Sequence, residues 1–286
     1  MMKGEQFQRG GAEDQISVDE IRDHYDRLSV YYRALWGDHI HHGYWEDGET
    51  SAVAQVKLIE RLAERARIPP NSRVLDVGCG LGGSSLWLAR NLGCSVLGLS
   101  ISPVQVKIAA ERARDAGLAD RAQFKVFDAG VLDLIGESFD AVWVIECSEH
   151  LADKAQFILN CARVLKSGGT LALCAWLRAD PLPSPDHVLL LAAVCRGMLC
   201  PQLASMQDYV GWMRACGLEN IRAEDITRCV KETWARCGAI ARRPEVKTLL
   251  RAADQRTRRF VKSFASINRA YVVGAMAYGM FAARKA

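Results

Sequence analysis

The chain has 286 residues, half of them hydrophobic, and 37 Lys and Arg against 33 Asp and Glu leave a net charge of +4. That length is long for one domain and short for two, so one α/β core carrying an elaborated cap is expected. The mild charge argues against a nucleic-acid partner, and the one dense basic group, Arg251, Arg256, Arg258 and Arg259, reads as a solvated helix face.

Val18 to Trp36 repeats apolar residues at helical spacing, with Ile21, Tyr25, Leu28, Tyr32 and Leu35 on one face, and a second helix is expected from Ser51 to Arg67, before Pro69-Pro70. Strand and helix then alternate: strand Arg73 to Val77, helix Ser84 to Leu92, strand Ser95 to Leu99 or Ser100, helix Pro103 to Ala116, strands Ala122 to Phe127 and Ala141 to Ile145, helix Lys154 to Leu165, a Ser167-Gly168-Gly169 turn, and strand Thr170 to Ala175. This rhythm predicts an α/β fold: a doubly wound, mostly parallel seven-stranded sheet with a helical cap. Asp180 to Asp186 is a proline-rich loop, His187 to Leu199 an inserted helix, Asn220 to Ile226 and Ala277 to Arg284 the closing strands. The expected layout is therefore 1–70 as N-terminal helical lid, 71–180 as cofactor-binding core, 181–216 as helical insertion and 217–286 as the end of the sheet, interrupted by cap helices over about 229–270.

No Cys-x-x-Cys pair occurs among the ten cysteines, most of which sit in apolar stretches, so they read as reduced, buried thiols. Met1 to Gly11 is polar, without a secretory apolar stretch, and the apolar run Ala270 to Ala283 is short of the roughly 20 residues of a membrane helix. A soluble, cytoplasmic enzyme without stable membrane insertion is expected, and homo-oligomerisation stays open.

The segment Val74-Leu-Asp-Val-Gly-Cys-Gly-Leu-Gly-Gly83 turns a strand into a helix through glycines that let a ligand approach bare backbone. Gly78, Gly80 and Gly83 satisfy a dinucleotide spacing, but Asp76 would repel a pyrophosphate and attract a cation. Where a dinucleotide fold places an acid on the ribose, about 20 residues on, Ser100 stands instead.

This run resembles the first motif of class I S-adenosylmethionine-dependent methyltransferases, and Phe127-Asp128-Ala129 resembles their adenine-side acidic motif. Trp36-Gly-Asp-His-Ile-His-His-Gly-Tyr-Trp45, Leu99-Ser-Ile-Ser-Pro-Val-Gln105 and Glu146-Cys-Ser-Glu-His150 are similar to the tocopherol methyltransferase-like natural-product group, over roughly Tyr25 to Trp176. The resemblance implies S-adenosyl-L-methionine as cofactor, with Asp76 orienting its ammonium group through the loop and Gly78, Gly80 and Gly82 admitting backbone approach. It implies Asp128, beside Ala129, as acceptor from the adenine amine, and Ser100 and Gln105 at the ribose. From the residues alone, Asp128 also suits an Asx turn before Gly130, and Ser102 to Gln105 a capping box.

Six of the fourteen Tyr and Trp residues fall between Tyr25 and Trp45, an aromatic wall that would exclude water from a sulfonium or pack as ordinary helix core. Tyr25, Tyr32, His41, His42, Tyr44 and Trp45 are the expected lid and acceptor contacts. The spacing of His39, His41 and His42 is not that of a zinc site, so no metal is expected. His150, after the fourth strand, is the candidate general base or acceptor-orienting group, with Glu146 or Glu149 fixing its tautomer. The expected reaction is methyl transfer to a small, largely apolar natural product at oxygen, nitrogen or carbon, an isoprenoid or polyketide being suitable. A cofactor-retaining cyclase, or coupled methylation and cyclisation, is the alternative.

Overall fold

A computed structural model describes residues 16–286 apart from 136, 137 and 183. The polar stretch Met1 to Gly11 falls outside the described residues, as does the side chain of Leu35. Helix α1 (Val18–Trp36) begins at a capping box in which Ser17 accepts from the Glu20 N–H and Glu20 accepts from the Ser17 N–H. Helix α2 (Ser51–Ala66) starts at Thr50, and its apolar stripe, Leu58, Ile59 and Leu62, is fully buried.

The core alternates β1 (Arg73–Val77), α3 (Gly83–Leu92), β2 (Ser95–Ser100), α4 (Pro103–Asp115), β3 (Ala122–Val126), β4 (Phe139–Ile145), α5 (Lys154–Val164) and β5 (Leu165–Arg178). After it come α6 (Pro185–Met198), α7 (Met206–Ala215), β6 (Leu218–Asp225), α8 (Thr227–Val230), α9 (Glu232–Ala241), α10 (Pro244–Ala252), α11 (Gln255–Val272) and β7 (Met276–Lys285). The sheet order is β3-β2-β1-β4-β5-β7-β6, parallel from β3 to β5, with β7 antiparallel to both neighbours.

Both faces are covered, as the near-continuous apolar strands require. On β4, Ala141, Trp143 and Ile145 join the core with α2, α9 and α11, whereas Val142 and Val144 join the core with α5 and α7. β5 repeats the pattern, Ala172, Cys174 and Trp176 on one face and Leu171, Leu173 and Ala175 on the other. The strand order reverses at β1, which pairs with β2 on one side and β4 on the other, so a crevice opens at the carboxyl ends of these strands.

Two elements differ from expectation. Ser167-Gly168-Gly169 is not a turn before β5 but an irregularity within it: Leu165 pairs with Phe139, and pairing resumes at Thr170 opposite Ala141. Gly168 takes a φ of 72° there. Helix α7 has no counterpart among the named sequence elements, although Ser205 and Asp208 close a capping box at its start. Among the described residues no helix is long and apolar enough to cross a membrane.

Candidate active site

The first wall of the crevice is the turn after β1. Asp76 is buried beneath it and accepts from the Ser85 hydroxyl at 2.6 Å and from the Ser85 backbone, pinning the first turn of α3. Burial pushes its carboxyl up to about 7, against the pull of the Ser85 hydrogen bonds. Gly78 has a φ of 77°, and a Cβ there would lie 2.5 Å from the Cys147 side chain. At Gly80, φ 53°, a Cβ would meet no protein atom within 4 Å, so the turn leaves room at the lip of the groove. Gly82 belongs elsewhere: it does not line the groove, and a Cβ there would strike Phe124 and Ala109, so its lack of a side chain serves packing against β3 and α4.

The remaining walls come from the ends of β2, β3 and β4. Ser100, Gln105, Asp128 and Ala129 line one groove with Gly78, Gly80, Glu146, Cys147 and His150. The Ser100 hydroxyl donates to Gln105 Oε1 at 2.7 Å, and Ser102 caps α4 by accepting from the Gln105 N–H. Gln105 therefore turns to Ser100 rather than completing a capping box. Asp128 Oδ1 accepts from the Gly130 N–H at 2.8 Å, the Asx turn, while lining the groove. Val18, Ile21 and Tyr25 of α1 lie across this groove, a cavity of about 100 Å³.

A second cavity, of about 50 Å³, adjoins it and shares Tyr25, Ile40, Glu146 and His150. Its other walls include Tyr32, Trp36, His41, His42, Glu149, Trp176 and Trp234. Glu146 organises this space from a left-handed backbone conformation, φ 53°, rarely adopted by a side-chain-bearing residue. Its carboxylate accepts from the His42 backbone and ring, the Trp176 indole and the Tyr278 hydroxyl, all at 2.8–2.9 Å. Burial opposes its charge, but His42 beside it and bonded to it holds the carboxyl down at about 2. The Trp234 indole N–H donates to His42 Nε2 at 2.7 Å, so Nε2 carries no proton and Nδ1 does.

His150 differs from expectation in its partners. Its Nδ1 faces the Leu199 carbonyl at 2.9 Å and its Nε2 faces the Tyr25 hydroxyl at 2.8 Å, so the Leu199 carbonyl sets the tautomer. Neither Glu146, committed to His42, nor Glu149, which accepts from the Trp176 N–H, takes that part. Burial lowers the His150 pKa, which keeps the ring neutral. Glu149 is pushed up to about 8 by burial and by the Glu146 charge.

Tyr25, Tyr32, His41 and His42 thus gather at the cavity, and Tyr44 and Trp45 do not. Trp45 is buried with its indole donating to Thr233 at 2.9 Å and Arg236 over its ring, and Tyr44 lies under Arg61. Both fasten the loop before α2 to its neighbours, by cation–π stacking and hydrogen bonding. The cavity residues beyond the expected set are Ile40, Trp176, Met198, Cys200, Thr233 and Trp234; an indole inside the apolar run of β5 was the signal available for Trp176. Among the described residues no group of three or more His, Cys, Asp or Glu is placed to hold a metal.

A family model described as a methyltransferase domain matches residues 75–173. The chain is similar to the "Probable tocopherol O-methyltransferase, chloroplastic" of Oryza sativa subsp. japonica, 35% identical over 225 residues, 73% of this chain and 62% of the rice protein. The chain therefore spans less than two thirds of that relative's length. It is 36% identical over 221 residues to the 27-O-demethylrifamycin SV methyltransferase of Amycolatopsis mediterranei strain S699, covering 76% of this chain and 80% of that one. The crystal structure of the 4+2 cyclase SpnF matches with a TM-score of 0.80 at 25% identity, over 97% of this chain and 99% of that one. The glycine turn, with open space at Gly80, suits S-adenosylmethionine, the cofactor of the family. The chain belongs to the class I S-adenosylmethionine-dependent methyltransferases, in the tocopherol methyltransferase-like natural-product group.

Proposed function

We propose that this chain methylates a small, largely apolar natural product, holding the cofactor in the groove and the acceptor in the aromatic cavity. The observation that carries this reading is the shared wall: Tyr25, Ile40, Glu146 and His150 face both compartments, so two ligands would meet there. Asp128 accepts from the adenine amine, Ser100 and Gln105 meet the ribose, the backbone at Gly78, Gly80 and Ala129 borders the ligand, and Asp76 attracts the ammonium group through the loop. When bound, S-adenosylmethionine supplies an electrophilic methyl group on a sulfonium.

The residues of the cavity contribute alignment and dryness. Holding two reactants in line is worth ~7–11 kcal/mol, and the surrounding rings of Tyr25, Tyr32, Trp36, Trp176 and Trp234 exclude water while tolerating a cation. His150, bonded to Tyr25, positions that hydroxyl at the boundary between the compartments. Both spaces are smaller than the ~300–1,000 Å³ of ligand clefts, and α1 lies across both of them.

Incubating the protein with methyl-labelled S-adenosylmethionine and a panel of apolar isoprenoid and polyketide acceptors tests the reading: label appears in a product of unchanged skeleton. A rearranged, unlabelled skeleton would instead support a cofactor-retaining cyclase, which the likeness to SpnF favours as the second reading. No conversion of any acceptor, with cofactor bound, would sink both.

A further inference from the structure

Nearly every polar group around the aromatic cavity has a partner in the protein. Tyr25 is bonded to His150, Tyr32 to His24, and His42 and Trp234 to each other. The Thr233 hydroxyl accepts from the Gly43 N–H and the Trp45 indole. Among the described residues lining the cavity, two buried side-chain atoms have none: His41 Nε2 and Glu149 Oε2.

The state of each atom follows from its residue's other bond. His41 Nδ1 lies 2.7 Å from the His42 carbonyl, which can only accept, so Nδ1 bears the proton and Nε2 a bare lone pair. Glu149 Oε1 accepts from the Trp176 N–H at 2.6 Å. An ionised Oε2 without a donor, 2% exposed and near the Glu146 carboxylate, would be costly, so Oε2 carries a proton that it can offer to a ligand. Burial lowers the His41 pKa against the influence of Glu146, with His42 and His39 as its other titratable neighbours; Glu149 faces Glu146 and Lys154.

We propose that His41 and Glu149 clamp a hydroxyl group of the acceptor, His41 Nε2 accepting its proton and Glu149 Oε2 donating to its oxygen, so that the acceptor is an alcohol or phenol on an apolar framework. The clamp rests on the methyl-transfer reading and narrows it to oxygen. The hydroxyl gives its proton to His41, which becomes imidazolium and later releases it to solvent. An oxygen lone pair forms the bond to the methyl carbon, and the sulfur keeps the electron pair of the bond that breaks, leaving S-adenosylhomocysteine. Glu149 stabilises the oxygen as it loses its proton. His150 remains a positioning residue, since its Nε2 is occupied by Tyr25.

The test is calorimetry with 4-octylphenol and its methyl ether, 4-octylanisole, on the full chain saturated with S-adenosylhomocysteine. The wild type binds the phenol about tenfold or more tightly than the ether, one buried hydrogen bond being worth about that factor. His41→Asn keeps an amide donor for the His42 carbonyl and replaces the ring nitrogen Nε2 by a shorter side chain with no basic atom; it brings the two probes within about twofold and leaves S-adenosylhomocysteine affinity unchanged, since His41 does not line the groove. It also slows labelled methyl transfer to hydroxyl acceptors by about 10²-fold. Glu149→Gln gives a second, independent readout, again shrinking the preference. Equal affinity of the wild type for both probes, no binding of either, or a preference that survives both substitutions overturns the clamp. Methyl transfer at full rate in His41→Asn overturns it while sparing the methyl-transfer reading. A preference lost in the variants, with no methyl transferred to any hydroxyl acceptor, upholds the clamp and sinks that reading.

Discussion

The groove and the aromatic cavity share a wall but are built on opposite plans. Groove hydrogen bonds are local: Asp128 to Gly130 spans 2 residues, Ser100 to Gln105 5, and Asp76 to Ser85 9. The cavity's central bonds, those of the His42 side chain, are distant: His42 meets Glu146 across 104 residues, Trp234 across 192 and Tyr271 across 229. A local site stays intact as long as a strand turns into a helix, whereas a distant one needs the whole cap docked. On the proposed reading, this plan would let cap sequences change the acceptor without disturbing the cofactor.

Damage at the centre of the distant network should therefore cost stability first. Glu146→Ala leaves the His42 N–H groups, the Trp176 indole and the Tyr278 hydroxyl without their acceptor, and about 3–5 kcal/mol of stability is lost, lowering Tm by about 10 °C in a thermal melt. The Glu146 pKa is depressed, so its stabilisation is present above about 4 and fades as pH falls towards about 2. Wild type and variant should converge there; a gap independent of pH would mean that packing, not charge, sustains the cavity.

The opposite pH sign is expected in the groove. Asp76 is raised to about 7, so the folded state binds its proton more tightly than the unfolded chain. Its contribution is complete below about 4 and is lost as pH rises through about 7, up to about 4 kcal/mol for three pKa units. Asp76→Asn should flatten that slope, measured by denaturant unfolding at pH 5 and pH 8; an identical slope in the variant would remove Asp76 as its source. Gly78→Val tests the same groove by shape. It combines φ 77° with a clash against Cys147 and should weaken S-adenosylhomocysteine binding by on the order of 100-fold in calorimetry, with the cavity network intact.

The same contrast explains what could be read from the sequence. The helix Val18–Trp36, the turn Gly78 to Gly83 and the alternation of strands with helices follow from spacing within one window, so periodicity and glycine chemistry carry them. The partners of His150 are not carried by any window. Glu146 and Glu149 are its near neighbours in sequence, yet the left-handed backbone at Glu146 turns that carboxylate to His42, and Tyr25 arrives from 125 residues away. Tyr44 and Trp45 have the composition of a cavity wall, but the cations Arg61 and Arg236 lie over their rings. Trp234 becomes visible as a cavity wall only when α9 is brought against β5, its ring 5.6 Å from that of Trp176.

Tyr25 is where the two plans meet, and its hydroxyl is the smallest useful perturbation. Tyr25→Phe keeps the ring that lines both compartments and deletes one bond, 2.8 Å to His150 Nε2. Losing a hydrogen bond of about 1 kcal/mol should slow turnover about fivefold. Because the ring stays, S-adenosylhomocysteine affinity should hold within about twofold in the same calorimetric assay. If affinity falls as far as turnover, the hydroxyl organises the groove as well, and the two compartments behave as one site. If neither changes, His150 is held by Leu199 alone, and the boundary between cofactor and acceptor is a matter of ring packing.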